Sequence, residues 1–412
     1  MKHDAIGGPA FPKLSLFVCI VCLLAASALL YAPLRAEFLK IEPWTADWRT
    51  MVLSDKTTRP HATVAIVVIN KDTLAGYPYH SPTPRNLLTS VLKAVEAAEP
   101  AAIGVDIYFV RPTEPENDQA FLRAVQQRRG EIVLAAVNES ALQFSDSERQ
   151  FQKRFLSEAG APVGFLNLRR DRDDVVRYTS PPVANSEYPE SFAVQLVKAT
   201  HGRTTKESFS SSSTRIAWLL REDYAPQPFV VVLAHDLLPA AGEAKVEAAR
   251  AQLKGKAVLI GNDRPYVDRH RTPFSVWAAD EMLGLMIHGH ITAQLLDGRS
   301  YSELRAPAAR ILVIALALTG FALGWIFWKL RLDLTGRTIA TVALVAVDAL
   351  AYSQLRVILP FTLALTAWLI GVAGGHHLRS LVTWATARST KSPGVSASAR
   401  SHAKTAGPMA TS

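Results

Sequence analysis

Cysteine is nearly absent from the chain, since only Cys19 and Cys22 occur among 412 residues. Both lie inside one uncharged apolar run, so the rest of the chain has neither a disulfide nor a cysteine nucleophile. A thiol pair in hydrocarbon has no polar partner for a thiolate, and we interpret the C-x-x-C spacing as packing. The sequence also lacks a G-x-S-x-G elbow, a Walker A lysine loop and an H-E-x-x-H pair. The familiar hydrolase, nucleotide-binding and zinc-peptidase signatures are therefore excluded.

Long apolar runs are present instead, at residues 14–32, 311–328, 338–355 and 357–375. A bilayer core of about 30 Å needs roughly 17–25 apolar residues in a helix, so we predict four transmembrane helices around an exported region, 33–310. The first run has two interpretations. Small residues at Ala25–Ala28 resemble a signal-peptide cleavage site, whereas the continuation through Tyr31 favours an uncleaved anchor; both export the middle of the chain.

The net charge of +9 is concentrated beside these runs. Residues 1–13, 329–337 and 379–412 together contribute +8. Basic residues flank transmembrane helices on the cytoplasmic side, so we place both termini and the short loop inside the cell and the large domain outside. The tail, 379–412, has the composition of a disordered segment. The charge is a topology signal, and no nucleic-acid partner is expected.

Asp348 is an acidic residue inside the third run. A carboxyl group near the middle of a bilayer is costly and normally faces a partner. We interpret it as hydrogen-bonded to a neighbouring helix or to the second subunit of a homodimer, with a proton relay as the alternative.

The exported region alternates between strand and helix patterns. Its β-branched runs are typical of strands buried on both faces: 62–70, 101–109, 131–137 and 256–262. Helical spacing follows in 83–98, 117–129, 243–253 and 282–297. We therefore predict an α/β domain with a mainly parallel sheet and helices on both faces. Residues 161–168 and 174–180 are predicted to form an inserted antiparallel hairpin.

Polar side chains follow several of these strands. In open parallel sheets, ligands bind beyond the carboxyl ends of the strands, so these residues predict a pocket for a small polar or cationic ligand, or an ion. The alternative is that they cap turns and helices. The residues are Asn70, Asp72, Asp106, Asn138, Glu139, Asn262 and Asp263, with Asp268 in the adjoining loop.

Histidines near the end of the region invite a metal-site interpretation. His288 and His290 are one residue apart, and on a helix they face different sides. His270 lies in a basic cluster with Arg264, Arg269 and Arg271, which disfavours a cation unless Asp263 and Asp268 compensate. We therefore interpret His288 as a packed, hydrogen-bonded residue, include it among the candidate ligand-binding residues of the pocket, and expect no metal and no cofactor.

Three blocks of sequence resemble the second class of CHASE domain, extracellular sensory domains associated with bacterial cyclases and histidine kinases. The blocks are "VVINKDTLAGYPYHSPTPR", "AAIGVDIYFVRP", and "KAVLIGNDRPYVDRHRTPF" followed by "GLMIHGHITAQLLDG". The resemblance covers roughly residues 44–299. The matching positions are Asp47, Arg49, Leu74, Gly76, Pro78, Pro84, Arg85, Asp106, Phe109, Gly261, Asp268, Thr272, Pro273, Gly284, His288 and the ending 295–298. Asn70 and Lys71 stand where acids are usual, and Tyr77 replaces a tryptophan.

The resemblance implies one membrane span before the domain and three after it, a sensory role and no catalytic residue. Relatives usually carry a cytoplasmic output domain after the last span, whereas the tail here is too short for one. We therefore expect a separate cytoplasmic kinase or cyclase as the partner.

Three functional hypotheses follow. The first is a sensor in the bacterial inner (plasma) membrane, not an enzyme, whose periplasmic domain detects an unknown small-molecule or ion cue. The second is an envelope structural or assembly protein whose exported domain binds another protein. The third is an exported hydrolase that uses Asp106, Asp268 and His288.

Overall fold

The structure, a computed structural model, describes residues 12–30, 32–138, 144–201, 213–223, 225, 227–265, 267–275, 280–327 and 333–389. The chain divides into two compact units. The apolar unit comprises residues 1–42, 304–348 and 360–412, and the α/β unit comprises residues 43–303 and 349–359.

The described helices and strands alternate through the α/β unit. The helices are α1 (Pro12–Leu30), α2 (Ala32–Leu53), α3 (Lys71–Leu74), α4 (Arg85–Glu96), α5 (Pro115–Gln127), α6 (Asp146–Ala159), α7 (Phe192–Thr200), α8 (Glu243–Ala251), α9 (Gly284–Leu296), α10 (Ala306–Ile326), α11 (Asp333–Ser353) and α12 (Phe361–Ser389). The strands are β1 (Asp55–Thr57), β2 (Val64–Ile69), β3 (Ala102–Asp106), β4 (Ile132–Ala136), β5 (Val163–Phe165), β6 (Arg169–Arg170), β7 (Val176–Tyr178), β8 (Leu219–Arg221), β9 (Val230–Leu233), β10 (Ala257–Asn262), β11 (Arg269–His270), β12 (Met282–Leu283), β13 (Ser302–Glu303) and β14 (Val357–Ile358).

Six parallel strands form the central sheet, in the order β5-β4-β3-β10-β2-β9. Alternate residues of each strand enter one of two apolar cores, because successive side chains point to opposite faces. On one face the sheet packs against α4, α5, α6 and α8. On the other it packs against α7 and α9. The predicted fold class, α/β with a mainly parallel sheet covered on both faces, is confirmed.

The neighbouring strands β3 and β10 are the point at which the connections change sides. The chain leaves β3 for α5 on one face and reaches α9 on the opposite face after β10. Because the two connections diverge, the carboxyl ends of these strands border a crevice, the usual position of a ligand in such sheets.

Two predicted elements differ in the structure. The predicted hairpin was wrong in its first half, since β5 joins the sheet parallel to β4, and only the two-residue strand β6 pairs antiparallel with β7. The helix α4 begins at Arg85 with Pro84 at its N-cap, two residues after the start of the predicted span 83–98. The polar helix α6 was missed, although Ser145 and Glu148 form a capping box at its start and Gly160 ends it with φ of 62°.

Short ribbons bring distant chain segments into the α/β unit. Strand β1 pairs with β8, and β13 pairs with β14, both in parallel. Arg356 donates to Asp55 at 2.8 Å, and the rings of Tyr301 and Tyr352 lie 4.8 Å apart. Segments far apart in the sequence, residues 55–57 and 349–359, therefore both belong to this unit.

Three described helices are apolar and long enough to cross a membrane: Ala306–Ile326, Thr335–Ser353 and Phe361–Ser389. The described apolar part of α1, Pro12–Ala25, is shorter. Within the apolar unit, glycines let α10 and α12 approach closely, because a Cβ on Gly320 or Gly371 would collide with backbone atoms of the other helix. Asp348 on α11 is buried and interacts with neighbouring groups.

Candidate functional site

A cleft of about 950 Å³ opens at the carboxyl ends of β3 and β10. Its walls come from four more places in the fold: the segment before α4, the start of α6, the residues after β5, and the first turns of α9. Ligand pockets have volumes of roughly 300–1,000 Å³ and favour such switch points in α/β sheets. The position and size of the cleft therefore make it the candidate ligand site of the α/β unit.

Three carboxyl groups line this cleft: Glu148, which is paired with Arg111, and Asp106 and Asp268. Burial raises the pKa of Asp106 well above its ordinary value, and the neighbouring charge of Asp268 raises it further. Oδ2 of Asp106 is shielded from solvent and has no hydrogen-bond partner among the described residues. Burial, together with these two carboxylates, also raises the pKa of the Tyr108 hydroxyl. Unsatisfied polar atoms are rare in native structures, so Asp106 is a candidate ligand contact.

The two histidines of α9 point to different surroundings. His288 is 4% exposed, lines the cleft and packs edge-on against Phe192 at 5.8 Å. Burial lowers its pKa to about 4, so the ring is uncharged at neutral pH. Its Nδ1 has no partner in the described part of the chain. His290 instead lies between the rings of Trp218 and Phe229, each 5.0 Å away, and its role is packing.

The loop before α9 holds Asp268 against the start of that helix. Asp268 has a left-handed backbone with φ of 56°, and its carbonyl accepts a hydrogen bond from the Gly284 N–H at 3.0 Å. Its carboxylate accepts a hydrogen bond from Nε2 of His270 at 2.9 Å. A Cβ at Gly284 would lie 2.8 Å from Cγ of Asp268, so only glycine leaves room for the carboxyl group here.

Replacing Gly284 by alanine is expected to displace Asp268 and to lower the free energy of unfolding by about 1–3 kcal/mol, the usual result of overpacking. Thermal unfolding of the full chain in nanodiscs measures the loss. Gly76→Ala is the matched control, because a Cβ there would meet nothing within 4 Å. Adding Asp268→Gly should restore the stability of the Gly284→Ala variant. A double variant no more stable than the single one would contradict this assignment.

Positive side chains surround the mouth of the cleft. Three of its arginines have carboxylate partners; the pairs are Arg111 with Glu148, Arg170 with Asp174, and Arg269 with Asp263. Arg264 differs, since it forms no ion pair with any residue that the structure describes. Among the described residues, the one hydrogen bond of its side chain, to the carbonyl of His80, is 3.5 Å long, and its Nε has no partner. The cleft thus combines a buried carboxylate with an available guanidinium.

Of the predicted pocket residues, Asp106, Asn262, Asp268 and His288 come together in this cleft. The others do different work. Asn70 caps α3 by accepting from the Thr73 N–H at 2.9 Å, and Asp72 is exposed. Asn138 is buried and donates its N–H to Asn167, while Asp263 pairs with Arg269. Glu139 lies outside the described residues.

The motif residues form structural contacts. Arg85 is fully buried, pairs with Asp118 at 3.2 Å and lies 4.8 Å from the centre of the Phe109 ring. Arg49 donates to the Leu359 carbonyl at 3.0 Å. Thr272 is buried beside Pro273, and its N–H donates to Ser275.

Asp47 leads to a buried ion network that sequence reasoning missed. Nε and Nη2 of Arg177 donate to its two carboxylate oxygens at 2.8 and 2.6 Å. Arg177 also binds Asp171 at 2.9 Å and Asp173 at 2.7 Å. Burial opposes the charge of Arg177, but the three carboxylates outweigh it and raise the pKa of the guanidinium. The sequence signal for a buried charge was Arg177, which follows Val175 and Val176 in "DVVRYTS". This network attaches the end of α2 to strand β7.

The chain was compared with known proteins. The sequence model of the CHASE2 domain matches residues 18–328, which is most of the chain and extends beyond the three motif blocks. No curated protein and no solved structure matches. The match supplies no ligand and no residue roles, so the cleft is assigned from its geometry alone. The chain belongs to the CHASE2 family of sensory extracellular domains.

Proposed function

We propose that this protein is a membrane-anchored sensor whose α/β unit binds a small polar ligand in the cleft beside Asp106. The signal passes through the apolar helices to a separate cytoplasmic partner, such as a kinase or cyclase. The family and the three apolar helices support a sensory membrane protein. The observation that carries the ligand assignment is the unpartnered, solvent-shielded Oδ2 of Asp106 in a cleft of ligand size.

The polar groups of the cleft favour binding over a purely structural role. A structural carboxylate normally accepts hydrogen bonds from neighbouring donors, because a buried oxygen left without one costs about 1–3 kcal/mol. Asp118 shows that arrangement nearby, since its two oxygens accept from the N–H and the hydroxyl of Thr113 at 3.1 and 2.8 Å. Oδ2 of Asp106 accepts no hydrogen bond from the described residues, so a ligand that donates one to it would gain affinity.

Signalling further requires that the ligand prefer one conformation of the chain, since a ligand shifts an equilibrium only by its difference in affinity. We place this protein in the inner membrane, with its large unit outside the cell and its partner in the cytoplasm. We assign no reaction to the cleft: His288, with a pKa of about 4, is a weak base at neutral pH.

The test is a ligand screen on the full chain in nanodiscs, with a broad panel of metabolites and ions and thermal unfolding as the readout. We expect at least one compound to raise Tm by several degrees, as saturating binding does. The effect should be lost in Asp268→Asn and kept in Asp72→Asn, an exposed carboxylate that also follows a strand.

The same compound should change which cytoplasmic protein is crosslinked to the chain in cells. A chain whose Tm no compound shifts, and which crosslinks only to an extracytoplasmic protein, would contradict the sensor proposal and support an envelope-assembly role.

A further inference from the structure

Three hydrogen-bond acceptors in the cleft have no partner among the described residues: Oδ2 of Asp106, Oδ1 of Asn262 and Nδ1 of His288. They come from the end of β3, the end of β10 and the first turns of α9. All three atoms are shielded from solvent. The fold thus gathers several acceptors without their donors in one place.

The orientation of the Asn262 side chain is fixed by its other polar atom. Nδ2 of Asn262 donates to Oγ1 of Thr83 at 2.9 Å, so the amide orientation that leaves Oδ1 as the free acceptor also satisfies its donor side. Burial keeps the His288 ring neutral at neutral pH, and in its Nε2–H tautomer Nδ1 is an acceptor. A bound molecule that carries several donors would satisfy these atoms at once.

A primary ammonium group fits this set. It has three N–H donors and one positive charge, and that charge would favour the ionised form of Asp106 beside Asp268. A bare metal ion fits less well, because the described residues bring no three His, Cys, Asp or Glu side chains together as ligands. It would also leave the guanidinium of Arg264 without an anionic partner.

Arg264 requires an anionic partner. Its guanidinium lies at the mouth of the same cleft without a carboxylate partner in the described structure, whereas the three other arginines there are paired. Guanidinium groups bind carboxylates through paired N–H donors. One ligand with both charges would donate hydrogen bonds to the three unpartnered acceptors and provide an anion for Arg264.

We propose, on the basis of the function proposed above, that the cleft binds a compound with a primary ammonium and a carboxylate, an amino acid or a short peptide. The ammonium lies against Asp106, Asn262 and His288, and the carboxylate binds Arg264. The volume of about 950 Å³ exceeds what one small amino acid fills, so the peptide is a separate arm of the test.

The experiment is isothermal titration of the full chain in nanodiscs with the twenty common amino acids and with trialanine. N-acetylated forms of each remove the ammonium, and the matching amines remove the carboxylate. We expect at least one unmodified probe to bind, and each modification to weaken its binding at least about tenfold, as expected for a lost charged hydrogen bond. Asp106→Asn and Arg264→Gln should each have a similar effect. Arg128→Gln, at an exposed ion pair with Glu131, should have none.

The N-acetylated probes need no variant, so a misfolded variant does not weaken the test. Equal binding of acetylated and free forms would overturn the inference. So would an absence of binding by every ammonium probe up to millimolar concentration. If a compound without an ammonium group from the broader panel bound in either case, the sensor proposal would stand and only the ligand class would be wrong.

Discussion

Replacing Asp106 by asparagine is expected to make the unliganded protein more stable and to abolish its response to an ammonium ligand. Burial and the charge of Asp268 disfavour the ionised carboxylate, and an amide of the same shape removes that charge. Because a tenfold change in proton affinity is worth about 1.4 kcal/mol, we expect a gain of at least about 1 kcal/mol. Tm should rise by roughly 2–4 °C per kcal/mol for a domain of this size.

The gain should depend on pH in a defined direction. The folded pKa of Asp106 lies above its unfolded value, so the folded state holds its proton more tightly, and stability is lost as pH rises through the folded pKa. The advantage of Asp106→Asn should therefore be small near pH 4, grow with rising pH and then level off. The other titratable and charged groups of the cleft remain in both proteins: Tyr108, Arg111, Glu148, Arg170, Arg264, Asp268, Arg269, His270 and His288.

Thermal unfolding of both proteins across this pH range, with and without ligand, measures the effect. Asp72→Asn serves as the control, because Asp72 is exposed and outside the cleft. A variant that loses stability at every pH would show that Asp106 is a structural residue. A stability gain with ligand binding intact would show that the ligand does not contact Asp106.

Replacing Arg177 by methionine is expected to cause the largest loss of stability, about 3–5 kcal/mol, which corresponds to a fall in Tm of roughly 6–20 °C. Arg177 and Asp47 are each 1% exposed, so removing the cation leaves the Asp47 carboxylate buried without its main partner. Arg215 is the nearest other cation, with Nη2 3.6 Å from Asp47, and it cannot replace two short hydrogen bonds.

Two further variants separate the charge from the packing. Asp47→Leu added to Arg177→Met should recover most of the loss, because buried ion pairs can often be replaced by apolar side chains. Arg170→Met should cost less than about 1 kcal/mol, since its pair with Asp174 is exposed. Thermal unfolding of the full chain gives all three values. Equal losses for Arg170→Met and Arg177→Met would contradict the importance assigned to the buried network.

The regular part of the fold was predictable because its strands are buried on both faces. Continuous β-branched runs such as those of β2 and β10 have no other stable environment in a water-soluble domain. The short edge strand β5 was assigned to a hairpin, because three residues carry too little pattern to distinguish a parallel partner from an antiparallel one. The polar helix α6 buries only a narrow stripe, so its capping box was the available signal.

The site was predictable only in part. Strand ends identified Asp106, but the strand order decides which ends are neighbours, and β10 comes to lie beside β3 from 150 residues further along the chain. Asn70 follows a strand equally well, yet its side chain is used by the cap of α3. Arg264 was noted only as part of a basic cluster, because its lack of a carboxylate partner is a property of the folded chain.

The ribbon formed by β13 and β14 constrains how the protein is made. Residues 349–359 belong to the α/β unit but are synthesised after α10 and most of α11. Translation proceeds from the amino end, so this unit cannot be finished until both helices have emerged from the ribosome. A gene fragment that stops at residue 303 would lack Tyr352, Arg356 and β14. Completion of the α/β unit is thereby delayed until α10 and most of α11 have been produced.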